Sequence, residues 1–237
     1  MAPHRFFLTA SKSFMTAPEI ALTTSLKMGS EDFSGLTTKV GVYEGLPGLL
    51  EEPNTYDRLV DAYRSAFGRA PWNEEHTSET VGAKIVRQLT IPGTEPIIVT
   101  MQRGEQFGFA WGCNGEPEEI IPAAVRNDFP DLTDEQKEEM TQGVLGEVRS
   151  RMPKGDIFWG CELGTDPPGG SFFLRLVREE ARRAGSDTLF GMTTEGTSFL
   201  ELMRARGGYQ EIQNPLLPDG HHYFLQDLGK FVQRKEV

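Results

Sequence analysis

The sequence predicts a mixed α/β fold, because three kinds of pattern follow one another along the chain. Two amphipathic helical patterns come first, a β-hairpin pattern follows, and short strands then alternate with helices. The alternating part is predicted as strands at 156–163, 188–192, 209–212 and 222–228, with helices at 172–184 and 198–206. Such alternation is typical of a mixed sheet covered by helices.

The first predicted helix carries apolar residues at helical spacing, from Tyr56 through Tyr63 to Phe67, and Asn54 is a suitable N-cap. A second helix is predicted to begin at Thr77, with Val81, Ile85 and Leu89 on one stripe. Ahead of these helices, residues 37–43 read as a strand and residues 20–26 as a weaker candidate. Two helices are therefore expected before the hairpin.

The hairpin is predicted over 96–101 and 106–113, because a short turn containing Gly104 separates two apolar runs. The second strand is asymmetric. Large residues share one face at period two, and the other face is almost bare, with Gly108, Ala110 and Gly112. Either a ligand lies close to the bare face or a helix packs tightly against it, and the sequence leaves both explanations open.

Residues 114–155 form an acidic segment that is predicted to be helical, since Thr133 and Gln136 make a capping box before an apolar stripe at Met140, Val144, Leu145 and Val148. Its carboxylates suggest a lid that selects cationic substrates, or simply a solvated helix face. The acidic residues concerned are Glu116, Glu118, Glu119, Asp128, Asp131 and Asp134.

Composition narrows the classes of partner. Asp and Glu total 35 against 24 Lys and Arg, a formal charge of −11, which disfavours nucleic acid. Cys113 and Cys161 lack a metal-ligand spacing, so we expect reduced, buried thiols and no metal. Polar residues interrupt the apolar run at 6–8, and no run approaches membrane length, so we expect a cytoplasmic protein.

The stretch from Glu162 to Gly185 is the most informative, because a strand runs into a Gly-Gly turn at 169–170 and then into a helix. The first N–H groups of a helix have no partner within it, and they combine with the positive end of the helix dipole to bind anions. An ordinary connecting turn has the same appearance, so the motif needs support from its surroundings.

The succession of elements over residues 37–228 resembles the fold of the GNAT superfamily of N-acetyltransferases. Three local motifs agree: residues 63–67 followed by 71–74, residues 162–167 running into the glycine loop, and Gly208-Tyr209 opening the sixth strand. The resemblance implies a mostly antiparallel central sheet flanked by helices, with 114–155 as a helical insertion. It also implies acetyl-CoA as co-substrate.

The same resemblance implies the cofactor-binding residues. Backbone groups near Leu163 and Thr165 would pair with the pantetheine arm of coenzyme A, and N–H groups at Gly169, Gly170, Ser171 and Phe172 would hold its phosphates. The sequence departs from the family pattern Q/R-x-x-G-x-G/A, because Asp166 stands at the first position or the loop is shortened. An acidic residue there would repel a pyrophosphate.

Glu162 is the candidate catalytic base, because acyl transfer to an amine needs a group that accepts the proton of the amine. Strand periodicity predicts that it shares a face with Gly160 and Gly164; an ion-paired or solvated glutamate is the alternative. The tyrosine acid of the family would fall on Arg204 or Met203, leaving Ser198, Tyr209 or water as substitutes. The adjacent His221 and His222 are expected to be surface residues.

These observations predict an N-terminal extension at 1–36 and a GNAT-type acyltransferase domain at 37–237. The expected activity is transfer of an acetyl group from acetyl-CoA to the amine of a small molecule by direct attack. Two alternatives remain: a coenzyme A-binding module without catalysis, and an enzyme that uses another acyl-CoA. We expect no nucleic acid or membrane partner and leave a homodimer open.

Overall fold

In the computed structural model, which describes residues 38–69, 72, 74–166 and 170–231, the centre is a mixed sheet. The strands of this described part are β1 (Thr38–Tyr43), β2 (Glu95–Arg103), β3 (Gln106–Gly115), β4 (Ile157–Asp166), β5 (Thr188–Thr194), β6 (Tyr209–Ile212) and β7 (His221–Asp227). They lie in the order β1-β2-β3-β4-β5-β7-β6. Neighbours are antiparallel except β4 and β5, which are parallel.

Helices cover both faces of this sheet. They are α1 (Leu46–Leu50), α2 (Pro53–Phe67), α3 (Ser78–Leu89), α4 (Pro117–Asp128), α5 (Asp134–Arg151), α6 (Gly170–Ala184), α7 (Ser198–Arg206) and α8 (Leu228–Phe231). The first face packs against α2 to α5 and the second against α6 and α7. The predicted α/β class is confirmed, and so is the succession of elements that carries the GNAT resemblance.

The two helices predicted before the hairpin are present, but one of their caps differs. Thr77 caps α3, with its hydroxyl accepting from the N–H of Thr80 in a reciprocal capping box. Asn54 does not cap α2, because Pro53 already occupies the first turn and Glu52 stands at the N-cap. The single turn of α1 was not predicted, since five residues are too few to show a helical period.

The bare face of β3 is explained by helix packing. Phe107, Phe109, Trp111 and Cys113 are buried together against α2 and α3 on the first face, as the period of two predicts. On the second face α6 lies against β2, β3 and β4. The neighbouring strand β4, and not a helix, requires a glycine at Gly112, because a Cβ there would collide with the carbonyl oxygen of Trp159.

A β-bulge in β4 corrects the predicted orientation of Glu162. Trp111 lies opposite Glu162, and Gly112 lies opposite Gly160, so that Cys161 is an extra residue in β4. The bulge reverses the alternation of side chains at this point. Glu162 shares the first face with Gly164, as expected, whereas Gly160 turns to the second face, towards Leu189 and α6. The expectation that Glu162 and Gly160 share a face is therefore wrong.

Segment 114–155 is helical, as predicted, and it contains two helices rather than one. The capping box at Thr133 opens α5, and Met140, Val144 and Val148 are buried. The earlier helix, α4, was not predicted, because Pro122 interrupts its pattern. Of its carboxylates, Glu116 and Glu118 bind Arg149 of α5, so these two pin α4 to α5 instead of lining a lid.

Several boundaries differ from the predicted ones. β4 continues through Asp166, so Thr165 and Asp166 belong to a strand and not to the loop. α6 begins at Gly170, before the predicted residue 172, and Leu228 begins a short helical turn instead of ending a strand. The strand candidate at 20–26 and the extension at 1–36 lie outside the described residues. No helix in the described part of the chain is long and apolar enough to cross a membrane.

Candidate active site

The parallel strands β4 and β5 part soon after they begin. They pair only at Phe158 with Leu189 and at Trp159 with Phe190. β4 then continues for seven residues to Asp166, with β3 on one edge and without β5 on the other. The result is a V-shaped cleft in the sheet that opens towards the carboxyl ends of the two strands.

The wide end of this cleft lies beside the start of α6. The last residue of β4 is Asp166 and the first of α6 is Gly170, so the helix N-terminus must lie close to the end of β4. Gly170, Ser171 and Phe172 form the first turn, whose N–H groups have no partner within the helix. Gly169, the remaining predicted phosphate contact, lies outside the described residues.

The carboxylate of Asp166 does not belong to the phosphate loop. Asp166 lies opposite Phe107 on the first face of the sheet, and the hydroxyl of Ser65 donates a hydrogen bond to its Oδ1 over 2.7 Å. Arg69 donates in turn to the hydroxyl of Ser65 over 2.9 Å. These contacts hold Asp166 against α2, which removes the reason for expecting it to repel a phosphate from within the loop.

Leu163 and Thr165, the predicted pantetheine contacts, lie on the part of β4 that borders the cleft. Leu163 is paired with Ala110 and Thr165 with Gly108 of β3, and both side chains turn towards α6. Their positions along the open edge of β4 are those that the sequence predicted. Whether their backbone groups bind a ligand stays a prediction.

Glu162 lies in a polar cluster enclosed between β4 and α3. Its side chain is 10% exposed, and its Oε1 lies 2.7 Å from Nζ of Lys84. Gln88, one turn further along α3, donates to the same oxygen over 3.3 Å and accepts from the indole N–H of Trp111 over 2.8 Å. Glu162 is thus ion-paired, and its orientation is fixed by α3 and β3.

The ammonium group of Lys84 is surrounded by oxygen atoms and aromatic rings. It donates to the hydroxyl of Tyr63 over 2.6 Å and lies 3.8 Å from Oε2 of Glu74. The rings of Tyr63 and Phe67 have their centroids 5.3 and 5.8 Å from Nζ, within cation–π range. Two carboxylates and two aromatic rings therefore form a binding site for an alkylammonium, which Lys84 itself fills.

Burial and charge act against each other in this cluster. Burial raises the pKa of Glu162, and the attraction of Lys84 only partly opposes the rise. Burial lowers the pKa of Lys84, but the carboxylates of Glu162 and Glu74 outweigh it and raise that pKa. Burial also raises the pKa of Tyr63, reinforced by Glu162 and Glu74. A carboxylate with a raised pKa is a better proton acceptor than an ordinary one.

A second carboxylate from the helical insertion faces the same cluster. Asp128, at the end of α4, accepts a hydrogen bond from the hydroxyl of Tyr223 over 2.8 Å. Burial raises the pKa of Asp128 to about 7, the hydrogen bond from Tyr223 opposes this, and Glu162 adds to it. Asp128 therefore changes charge close to neutral pH, within the electric field of Glu162 and Lys84.

A pocket on the surface leads to this cluster. Its volume is about 480 Å³, and Lys84 and Glu74 stand in its wall. Among the described residues, its lining consists of Glu74, His76, Thr80, Ala83, Lys84 and Arg87. His76 bonds to Glu74 over 2.5 Å and so fixes the carboxylate that faces Lys84.

Of the residues considered for the missing tyrosine, Arg204 and the substitute Tyr209 lie away from the cleft, and Met203 has no acidic proton. Met203 is buried in the core against α6, and Arg204 binds Glu195 and Glu211 at the surface. Tyr209 stacks on Phe224 in the outer strands β6 and β7, on the far side of β5. The side chain of Ser198 lies outside the description.

The paired histidines are both partly buried, which differs from the surface positions that the sequence predicted. His222 lies between Glu195 and Glu211, each at 2.9 Å, and His221 packs edge-on to Phe129. Across the described ranges, no group of three or more His, Cys, Asp or Glu side chains is arranged to hold a metal ion.

Lys84 and Gln88 were not predicted from the sequence as site residues, and Asp128 was named only as one of the carboxylates of segment 114–155. Gln88 stands beside the apolar stripe of α3 and is 2% exposed, so a polar residue on a buried stripe was a readable signal. Lys84 lies four residues before Gln88, and residues four apart lie on the same face of a helix. The place of Asp128 beside Glu162 had no local signal, because the contact with Tyr223 joins residues that are 95 positions apart.

No family model matches the chain, and no curated protein matches it either. Solved structures of similar fold include an apo variant of an agmatine N-acetyltransferase (13% identity, TM-score 0.46, 78% of this chain and 96% of that chain). A polyamine N-acetyltransferase from Drosophila melanogaster has 13% identity and a TM-score of 0.42 over 78% and 97% of the two chains. A GNAT-family acetyltransferase from Listeria monocytogenes has 8% identity and a TM-score of 0.41 over 80% and 95%.

Proposed function

We propose that the chain is an acyl-CoA-dependent N-acyltransferase that moves an acetyl group from acetyl-CoA to the amine of a small cationic molecule. The observation that carries the proposal is the cleft between β4 and β5, with the start of α6 at its wide end and Glu162 on its β4 wall. An open strand edge offers backbone hydrogen bonds to an amide-containing arm, and a helix start offers N–H groups to phosphates.

Coenzyme A fits the groups that this chain presents. Its two amides would pair with β4 near Leu163 and Thr165, and its phosphates would lie at the N–H groups of Gly170, Ser171 and Phe172. Gly169 is the fourth proposed phosphate contact. This arrangement would bring the thioester towards the narrow end of the cleft, where the bulge at Cys161 and the side chain of Glu162 lie.

Glu162 is the proposed base. It is held at one oxygen by Lys84 and Gln88, and its raised pKa suits a group that takes a proton from an ammonium near neutral pH. The proton leaves the amine, the amine nitrogen attacks the thioester carbonyl, and both substrates are bound at once. Direct attack requires no covalent acyl-enzyme. Glu162 passes the first proton to water and then accepts the second proton, which the nitrogen loses as the amide forms.

The acceptor is proposed to be cationic because carboxylates outnumber cations around the base. Glu74 and Asp128 accompany Glu162, and the opposing charges are those of Lys84 and Arg87. The acceptor ammonium would displace the ammonium of Lys84 from its contacts with Glu162 and the aromatic rings. The pocket beside Glu74 and Lys84 is the proposed entry route.

The test is a product assay with the full-length chain. Acetyl-CoA is incubated with matched panels of cationic, neutral and anionic primary amines, and acetylated products are identified by mass spectrometry. The proposal predicts N-acetylated cationic amines at low salt, with less selectivity at high salt because charges are screened over about 10 Å at 0.1 M. Acetylation of anionic amines in preference to cationic ones would contradict it.

The engagement of Glu162 by Lys84 favours one alternative, a module that binds coenzyme A without turnover. Under that alternative the ion pair is permanent, and the base is never free to accept a proton. Binding of coenzyme A in calorimetry, together with no product from any acyl-CoA or amine, would be the outcome that supports it. Product with a longer acyl-CoA alone would favour the remaining alternative, an acyltransferase with another donor.

A further inference from the structure

Glu180 is an anomaly on the inner face of α6. The residue is 3% exposed, and its Oε1 accepts no hydrogen bond. Among the carboxylates that the structure describes, it is the one with a fully buried oxygen that lacks a partner. A buried carboxyl group without a hydrogen bond is costly and is uncommon except where it has a function.

The carboxyl group of Glu180 faces the narrow end of the cleft. Its Oε1 lies 3.9 Å from the point that a Cβ of Gly160 would occupy. Gly160 follows the last pair between β4 and β5, and Gly191 follows that pair on β5, with its own Cβ point 3.5 Å from the Gly160 carbonyl oxygen. Cδ1 of Leu189 lies 3.0 Å from the Cβ point of Gly160, and the ring of Phe224 lies 3.1 Å from that of Gly191, so the carboxyl group of Glu180 lines the vertex together with these two side chains.

The surroundings keep a proton on this group near neutral pH. Burial alone raises the pKa of Glu180 to about 8. The side chains packed against this side of α6 are apolar, with Val99 from β2, Phe158 from β4, Leu189 from β5 and Met203 from α7. On its own helix, Glu179 is paired with Arg182, and Arg183 follows.

We propose that Glu180 is the proton donor for the thiolate that leaves during acyl transfer. This proposal rests on the proposed function, in which acetyl-CoA is the second substrate. Glu162 takes the proton that the attacking nitrogen loses, a carbon–nitrogen bond forms, and the carbon–sulfur bond breaks with its electron pair passing to sulfur. Glu180 gives its proton to that sulfur, and both carboxyl groups return to their starting states by proton exchange with water.

Two observations favour Glu180 over the other candidates for this role. Two residues stand at the place of the family's tyrosine. Arg204 is held in ion pairs at the surface, and the buried Met203 has no acidic proton. Tyr209 also has a buried oxygen without a partner, but burial raises its pKa to about 12, and β5 and β7 separate it from the cleft. Its proton is held more tightly, and it lies further away.

The test compares Glu180→Gln with Glu179→Gln in the full chain. Glutamine keeps the shape of the side chain and cannot donate the proton, so kcat is expected to fall about a hundredfold while coenzyme A affinity in calorimetry is unchanged. The control variant should retain wild-type kcat. Independently of turnover, the infrared band of protonated carboxyl groups at neutral pH should lose intensity in Glu180→Gln and not in Glu179→Gln.

The outcomes separate this proposal from the proposed function. If the wild-type chain neither binds coenzyme A nor forms product, the proposed function fails and this role fails with it. If the wild type turns over and Glu180→Gln matches it, only the role of Glu180 is wrong. If that variant does not fold, the pH dependence of kcat of the wild type is the test. We expect kcat to decline above about pH 8 as Glu180 loses its proton, and a kcat that does not vary with pH overturns the proposal.

Discussion

Replacing Glu180 by Gln should change the pH dependence of stability in a direction that the structure determines. The folded chain holds the proton of this carboxyl up to a pKa of about 8, whereas the unfolded chain releases it at its ordinary value of 4.5. Because the folded-state pKa is raised, the wild type loses stability as the pH rises through this interval. Between about pH 5 and about pH 8 the loss amounts to roughly 3 kcal/mol, which the non-titrating Gln does not incur.

The assay is urea unfolding of the wild type, Glu180→Gln and the control Glu201→Gln at a series of pH values. Other groups with raised pKa, such as Glu162 and Asp128, act in all three proteins and cancel in the difference. We expect the free energy of unfolding of Glu180→Gln to increase steadily relative to that of the wild type as the pH rises over this interval. Glu201→Gln, on the exposed side of α7, should show the same pH dependence as the wild type. A difference that does not vary with pH would refute the assignment of a buried, protonated Glu180.

Three further predictions concern the cluster and the bulge. Lys84→Met removes the positive charge beside Glu162, so the acid limb of kcat/KM in pH–rate measurements should move up by roughly one to three pH units; no movement would show that Lys84 does not control Glu162. Asp128→Asn should raise KM for a cationic acceptor roughly tenfold above about pH 7 and little below it, because only the charged carboxylate attracts the substrate; an equal effect at both pH values would contradict this. Gly112→Ala should destabilise the chain by about 2 kcal/mol in urea unfolding, because its Cβ meets the Trp159 carbonyl, whereas Gly146→Ala on exposed α5 should be neutral or stabilising. Equal stability of the two glycine variants would show that the bulge tolerates a side chain.

Much of the fold was predictable because it depends on local periodicity. The period of two in β3 identified the face that packs against α2 and α3, and the capping boxes at Thr77 and Thr133 marked the starts of α3 and α5. The bulge at Cys161 was not predictable in this way. It is fixed by pairing with Gly112, which lies far away in the sequence, and it alone decides that Glu162 and Gly160 point to opposite faces.

The candidate site was predictable only along one strand and its loop. Glu162 and the start of α6 are consecutive features of the chain, so strand and helix signals locate both. The partners of Glu162 come from α3 and α4, and only the packing of helices on the sheet brings Lys84 and Asp128 to it. Glu180 did leave a signal, since it stands three residues after Val177 on the apolar stripe of α6, where a carboxylate is out of place.

The most direct test of the account is hydrogen–deuterium exchange of the wild-type chain with and without coenzyme A, read at peptide resolution. Binding in the cleft predicts slower exchange along the open edge of β4, over residues 160–166, and in the first turn of α6, over residues 170–173, because the ligand engages N–H groups there. Exchange in α5, which lies against the other face, should stay unchanged. Protection that is absent from β4 and α6, or that appears only elsewhere, would contradict a coenzyme A site between β4 and β5.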